Sequence, residues 1–456
     1  MQILFLLLIF CTCLTALYYS LNNRIEMLYF FLLLVMFQNI IVIIFSSSIP
    51  NLYNVLFSII KEMMLYIALI ASTIRKGKIY IKKNNQLSLI FLGVYLFMLL
   101  KNLFITTAGL NSSILSLRYM LVPVLCIYVG KNINIDAKKT QSFLHKLVFF
   151  SIVLSLFGMI EQFVLGDSFW NKIGYKNYAI KMKGNMEYNL FRGVTVNFYT
   201  WDFGGIPIRR MVSITADPLA TAFLIYLGVL IIFTGCISFK NKRKINGFFV
   251  ILIVLSISSF LSLSKAIFVL IGLTFWICAY FYNWMPKSIL RMATMLLLIV
   301  FIIILKSYVG NTDSVTSSLN HVMGLLNGLS ASNLTGNGLG TAGSSVIMLT
   351  GVESNISESY IGALFAQVGL IGGIAFLLFI YEQIKRLFKL YRIYKNKIIV
   401  LASVCMIGIL VCMIFSDSSV SIMGTGIYFI IIGLAQRANL YEDVRLKEHN
   451  VEIAKG

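Results

Sequence analysis

IIVLASVCMIGILVCMIF, residues 398–415, contains no charged side chain. As a helix it rises about 27 Å, close to the ~30 Å hydrocarbon core of a bilayer. Comparable apolar runs recur along the chain at roughly 3–20, 26–46, 52–74, 87–104, 112–130, 147–166, 216–237, 247–261, 264–283, 292–309, 358–381 and 418–436. The runs are continuously apolar and do not alternate, so they predict spanning helices and exclude a barrel. Composition agrees, with 59% apolar and 12% charged residues and a mean hydropathy of +0.88. No soluble domain of 456 residues has that balance. The expectation is an all-α polytopic membrane protein, residues 1–456 forming one integral membrane domain of about 12–14 helices. The run Ile3–Ser20 has no basic segment before it and no small-residue cleavage site, and reads as a retained helix.

The net charge of +21 invites a nucleic-acid reading. Its distribution argues against one. The basic residues gather between runs: Arg75-Lys76-Gly77-Lys78 with Lys82-Lys83, Lys131 with Lys138-Lys139, Lys240 with Lys242-Arg243-Lys244, and Lys385-Arg386 through Lys397. Such clusters face the cytoplasm. That phase puts 75–86, 131–146, 238–246, 284–291, 382–397 and the mixed-charge tail 437–456 inside. Thirteen spans then leave the N-terminus outside. The tightest connection is Ser262–Ser264, where one kinked or re-entrant element is the alternative to two spans.

Two long polar stretches, 167–215 and 310–357, fall on the external face and are the large loops. The first holds seven Lys/Arg against three acids, on a face where basic residues are scarce, and ten aromatics that include Trp170, Tyr175, Tyr178, Tyr188, Tyr199 and Trp201. Aromatic faces of this kind stack on sugar rings or pack on one another. A basic, aromatic loop beside lipid suits a substrate that is part lipid, part anion and part sugar. No internal repeat marks an inverted-repeat transporter. The seven cysteines lie in or beside apolar runs, with no metal spacing and no disulfide framework, and the three histidines are far apart.

Ionisable residues inside spans point to function. They are Lys61-Glu62, Lys101, Arg118, Glu161, Lys265 and Asp417. Lys61 and Glu62 can pair with each other or with a neighbouring helix, and Lys101 can snorkel. Asp417 sits in a serine-rich outer turn that it can cap. Arg118 and Glu161 lie at similar depth and can pair. Arg209-Arg210 precede Asp217-Pro218, where the aspartate can cap a helix that proline opens. An arginine binds phosphate with a two-pronged fork, so this pair suits a pyrophosphate at the interface, with headgroup anchoring as the alternative. Gly336-Asn337-Gly338-Leu339-Gly340 has the outline of a phosphate cradle but follows no strand of a βαβ unit, and reads as a close-approach turn. Glu358 opens the next span, where it can cap the helix or take a proton from a sugar hydroxyl.

In this order the pieces resemble bacterial O-antigen polymerases and, more distantly, O-antigen ligases, multispan glycosyltransferases of the GT-C class. The pieces are Leu117-Arg118-Tyr119 with Pro123 and Gly130, Gly158-Met159-Ile160-Glu161, Arg210-x-x-Ser213 with Asp217-Pro218, Leu263-Ser264-Lys265, Gly336–Gly340, and Glu358-Ser359 with Ala366-Gln367-x-Gly369. They cover roughly residues 115–375. The resemblance implies an undecaprenyl-pyrophosphate-linked oligosaccharide as substrate, used on the external face of a bacterial cytoplasmic membrane to build an O-antigen or capsule. It also implies membrane lipid and a chain-length regulator protein as partners. Arg210 and Glu358 are the expected catalytic pair. Arg209, Arg210, Lys265, Arg118 and His321 are the expected substrate contacts, with Glu161, Asp217, Pro218, Gly338 and Gly340 as supports. Lys265 stands where ligases carry arginine, and Glu358-Ser359 where they carry His-Asn. Both departures favour a polymerase over a ligase. The chain has no Asp-x-Asp element, and no metal or other cofactor is expected. A ligase that moves finished chains, or a flippase of lipid-linked oligosaccharide, are the alternatives. A flippase would carry charge through the full membrane depth, whereas here it concentrates at the external ends.

Overall fold

The computed structural model describes residues 2–22, 24–47, 49–76, 86–183, 190–203, 206–237, 242–286, 288–292, 294–295, 317–343 and 359–437. Within them the apolar runs form α1 (Gln2–Asn22), α2 (Ile25–Phe45), α3 (Asn51–Lys76), α4 (Gln86–Ile105), α5 (Leu110–Asn132) and α6 (Ala137–Ile160). Asp136 starts α6 by accepting a hydrogen bond from Lys139 N at 2.7 Å. A π turn, Glu161–Leu165, widens the end of α6. The first polar stretch then builds α7 (Gly166–Lys172), α8 (Tyr175–Lys183) and two antiparallel hairpins. These are β1 (Leu190–Phe191) with β2 (Val194–Thr195), and β3 (Tyr199–Phe203) with β4 (Ile206–Arg209). There follow α9 (Pro218–Phe233), α10 (Lys242–Leu261), α11 (Lys265–Tyr282), α12 (Ser317–Ser330), α13 (Tyr360–Tyr394), α14 (Lys397–Phe415) and α15 (Gly426–Ala435). Most of the run expected at 292–309, from 296 on, and the tail 438–456 lie outside the described residues.

Among the described residues nine helices are long and apolar enough to cross a bilayer, and three shorter apolar helices accompany them. Their outward faces carry Phe104 at 83% exposure and Val164 at 75%, tolerable where lipid replaces water. Helices meet through small residues, as lipid-embedded helices do. Gly130 of α5 crosses Gly433 of α15 so closely that a Cβ on either would run into the opposing backbone.

The bundle has two chemically distinct ends. At one end Lys131 Nζ donates to Gln383 Oε1 at 2.7 Å, Arg75 reaches the Asn22 carbonyl at 3.2 Å, and Arg386 reaches the Gln436 carbonyl at 3.2 Å. Basic clusters that the sequence places together therefore share one end. The other end carries the described parts of both long polar stretches. Between Ser262 and Ser264 the chain turns and α11 runs back beside α9, with the Tyr282 hydroxyl on the Thr234 carbonyl at 2.7 Å. Residues 247–283 are thus two separate helices with their shared turn at the polar end.

One expected span is different in kind. Within α13, Gly369 adopts φ 78°, ψ 176°, which breaks the helix. The rings of Tyr360 and Phe376 lie 6.1 Å apart, although sixteen residues of straight helix would separate them by about 24 Å. The segment before Gly369 therefore folds back along the segment after it. Tyr360 stands beside Tyr95, halfway along α4. Only 370–394 crosses the bundle, and 360–368 is a re-entrant half-helix that starts deep inside. The expectation that a helix opens near 358 at the outer aqueous layer is corrected by Ser359. This residue caps the half-helix through Gly362 N at 3.0 Å and is fully buried.

Candidate functional site

The first polar stretch is a small packed unit. Trp170, Tyr175 and Phe198 are buried against one another with ring centroids 4.7–5.8 Å apart. Tyr178 stacks on Tyr175 at 5.7 Å. These rings pack and offer no open sugar platform. Tyr188 and the Trp201 side chain lie outside the described residues.

The π turn aims Glu161 into this unit with no exposed surface. Its carboxylate accepts from Trp170 Nε1 at 2.6 Å, from Val212 N at 3.3 Å and from Arg209 Nη2. Arg209 also gives Nε to Asp167 at 2.9 Å and Nη1 to Gln162 at 3.1 Å, while Gln162 donates back to the Arg209 carbonyl at 2.9 Å. Two largely buried carboxylates require a counter-charge, and Arg209 supplies it. Burial alone would lower the Arg209 pKa. The hydrogen bonds and charges of Glu161 and Asp167 outweigh it and hold the guanidinium above its usual value. Asp167 also accepts the Tyr199 hydroxyl, whose pKa burial and then this bond push up to about 12. Arg209, expected to bind pyrophosphate, is in this structure the strut between β4 and the π turn.

Arg210 faces elsewhere. Its Nε donates to the Ser262 carbonyl at 2.9 Å and its Nη1 to the Asn197 carbonyl at 3.4 Å. Its own N–H meets the Phe198 carbonyl at 2.7 Å, and Met211 N meets Leu261 O at 3.0 Å. The half-buried guanidinium is thereby fastened to the α10–α11 turn, whose next helix opens with the exposed Lys265. Seven residues on, Asp217 caps α9 by accepting from Leu219 N at 2.8 Å and Ala220 N at 2.9 Å, and Pro218 fills the first helical position. Both roles follow the sequence reading.

Arg118 takes a different partner from the one expected. It forks onto Glu62 of α3 with two bonds of 2.6 Å, and Glu161 takes Arg209. Lys61, beside Glu62 in sequence, donates to Gln38 Oε1 at 2.5 Å and to the Ser58 carbonyl at 3.0 Å.

The glycine run lies in the mouth of the broken helix. Leu370 N and Ile371 N, freed by the break, donate to the carbonyls of Asn333 at 2.9 Å and Leu334 at 3.2 Å. Asn337 N and Gly338 N donate to Ala366 O and Gln367 O at 3.1 and 3.3 Å. Gly338, at φ +100°, would place a Cβ 2.5 Å from Thr106 Cα; Gly340, at φ +81°, would place one 2.7 Å from Ser112 Oγ. Close approach, as expected from sequence, is the requirement these glycines meet. Asn102 holds the Thr335 carbonyl at 2.8 Å, and Gln367 clamps Gly340 N at 2.7 Å and Ala342 O at 2.6 Å. Sequence reasoning gave no role to Asn102. The signal was an uncharged amide inside an apolar run.

Glu358 lies outside the described residues, as does the His321 side chain, whose backbone belongs to α12. Among the described residues no group of three or more His, Cys, Asp or Glu gathers as for a metal ion. Compared with known proteins, no family model matches the chain and no curated protein matches it.

Proposed function

We propose that this chain is a membrane glycosyltransferase that polymerises undecaprenyl-pyrophosphate-linked oligosaccharide repeats into a surface polysaccharide, on the external face of a bacterial cytoplasmic membrane. The observation that supports it is Arg210, a half-buried arginine braced by the backbone of Asn197 and Ser262 at the polar end, with Lys265 three residues beyond Ser262. A guanidinium oriented in advance suits charge that develops on a leaving pyrophosphate. In the reaction the acceptor hydroxyl oxygen bonds to the anomeric carbon of the growing chain. The bond from that carbon to the pyrophosphate oxygen breaks, the electron pair leaves with undecaprenyl pyrophosphate, and the hydroxyl proton passes to a carboxylate, for which Glu358 is the candidate.

Purified protein with lipid-linked repeats, scored for chain length on a gel, tests the reading. Arg210→Ala is expected to reduce polymerisation about a hundredfold, the effect of losing roughly 3 kcal/mol of transition-state stabilisation. Arg210→Lys should recover only part, because the fork is lost. Near-normal chain lengths from membrane-inserted Arg210→Ala would make Arg210 an anchor and move the site elsewhere.

A further inference from the structure

At the basic end, α5, α13 and α15 meet around three cations. Lys131 Nζ donates to Gln383 Oε1 at 2.7 Å, and Gln383 lies one turn before Arg386 on α13. Arg386 Nη2 donates to the Gln436 carbonyl at 3.2 Å. The next residue, Arg437, gives Nη1 to the Ile133 carbonyl, two residues beyond Lys131. These contacts close a ring, and the charge of Arg386 acts on the Lys131 ammonium. All three side chains are half-buried. The partners of Lys131 and Arg437 are neutral, and among the described residues no carboxylate pairs with either. Asp136 and Glu382, the described acids nearest to them along the chain, are engaged with Lys139 N and with Lys385.

Helix ends do not supply the missing charge. α5 and α15 both end here, and each C-terminus carries about half a negative charge. Gln383 Nε2 also donates to Ser88 Oγ at 2.7 Å, which brings the first turn of α4 to the same place, and a helix N-terminus is about half positive. Three cations are thus offset by less than about one negative charge. Half-buried charge in such excess calls for a counter-ion. Guanidinium forks and an ammonium together match phosphate oxygens. The source follows from what adjoins the charge. α13 exposes Ile374, Leu378 and Tyr381 over the turns that lead into the apolar belt, so an acyl chain has an apolar surface beside the headgroup.

We propose that this junction binds the phosphate of an anionic lipid headgroup, with Lys131, Arg386 and Arg437 as its cations and an acyl chain along α13. The bound lipid ties α5, α13 and α15 together at the end opposite Arg210. The site is independent of the reaction proposed above, and its readouts are binding and melting temperature.

The test uses the purified full-length chain in a neutral detergent, titrated with phosphatidylglycerol, with phosphatidylcholine, whose choline cancels the phosphate charge, or with inorganic phosphate. Phosphatidylglycerol is expected to raise the melting temperature of the wild type, and phosphatidylcholine is not. Lys131→Gln and Arg437→Gln each keep a hydrogen-bonding side chain and should weaken the apparent affinity for phosphatidylglycerol roughly fivefold. Lys138→Gln removes an exposed lysine from the same end and should leave that affinity unchanged. Arg437 lies beyond α15, so its variant carries the test if Lys131→Gln fails to fold. Equal shifts with the two lipids, or equal weakening by Lys138→Gln, overturn the site. Undiminished affinity in Lys131→Gln and Arg437→Gln, as when carboxylates of the tail fill the junction, overturns it too. A shift produced equally by inorganic phosphate overturns the lipid as occupant and keeps the phosphate site.

Discussion

Adjacent arginines in the same loop do opposite things. Arg209 ends β4 and meets Glu161, Asp167 and Gln162, while Arg210, the next residue, meets the α10–α11 turn. Arg209→Ala strands two largely buried carboxylates and should cost about 3 kcal/mol of stability. Thermal unfolding of the detergent-solubilised protein measures it. Full stability with lost activity would return Arg209 to the pyrophosphate. Residue types were legible in the sequence and partners were not, because pairing depends on which helices face each other. Arg118 and Glu161 match in depth along the chain, yet α5 packs on α3 and α15, and Glu62 on α3 is the carboxylate within reach. For Glu358 the sequence reading stands as a test. If it is the base, Glu358→Gln in cells lacking the native gene should leave a single-repeat product on the surface, since export and ligation continue while polymerisation stops. Absence of all surface sugar would favour the ligase or the flippase. Long chains at wild-type level would remove Glu358 from the mechanism.

At the scale of elements, the start of α9 was readable from sequence because Asp217 caps an apolar run, whereas α6 starts at Ala137, ten residues before the run expected at 147, with Asp136 as its cap. The re-entrant hairpin was not readable. Residues 360–368 are as apolar as a spanning helix, and hydropathy records composition without direction. What turns the chain is one glycine. Gly369 sits at φ 78°, ψ 176°, a region that side chains essentially exclude, and a Cβ there would run into the backbone nitrogen of Gly336. The glycine run can therefore lie against the break and satisfy amides that the helix leaves open. Gly369→Ala combines strain of about 1–3 kcal/mol with overpacking of about 1–3 kcal/mol. Loss of a folded, monodisperse peak in size-exclusion chromatography, or a sharply lower melting temperature, is expected. Gly93→Ala is the control, since a Cβ there meets nothing within 4 Å and alanine improves helix propensity. Equal stability of the two variants would mean that the chain does not fold back at Gly369.

At the scale of the molecule, the alternation of apolar runs with basic clusters carried most of the architecture, because a bilayer constrains helix length and charge placement more tightly than water does. The described helices place the clusters around Lys131, Arg386 and Arg75 at one end and the described parts of 167–215 and 310–357 at the other. If the basic end is cytoplasmic, both polar stretches face outward. Single cysteines at Ser168, exposed at the start of the first stretch, and at Ser344, directly after the described glycine run, should react with a membrane-impermeant thiol reagent in intact spheroplasts. A cysteine at Lys385, whose side chain is 60% exposed at the basic end, should react only after permeabilisation. The described native cysteines give little background, because five are buried or half-buried and Cys11 and Cys13 lie on the lipid-facing helix α1. With α9, α10 and α11 as three crossings between Ser168 and Ser344, their common face depends on the expected span at 292–309 as the fourth, and labelling of only one of the two would mean that this run does not cross. Labelling of Lys385 alone would invert the molecule, put Arg210 on the cytoplasmic face, and separate it from a substrate presented outside.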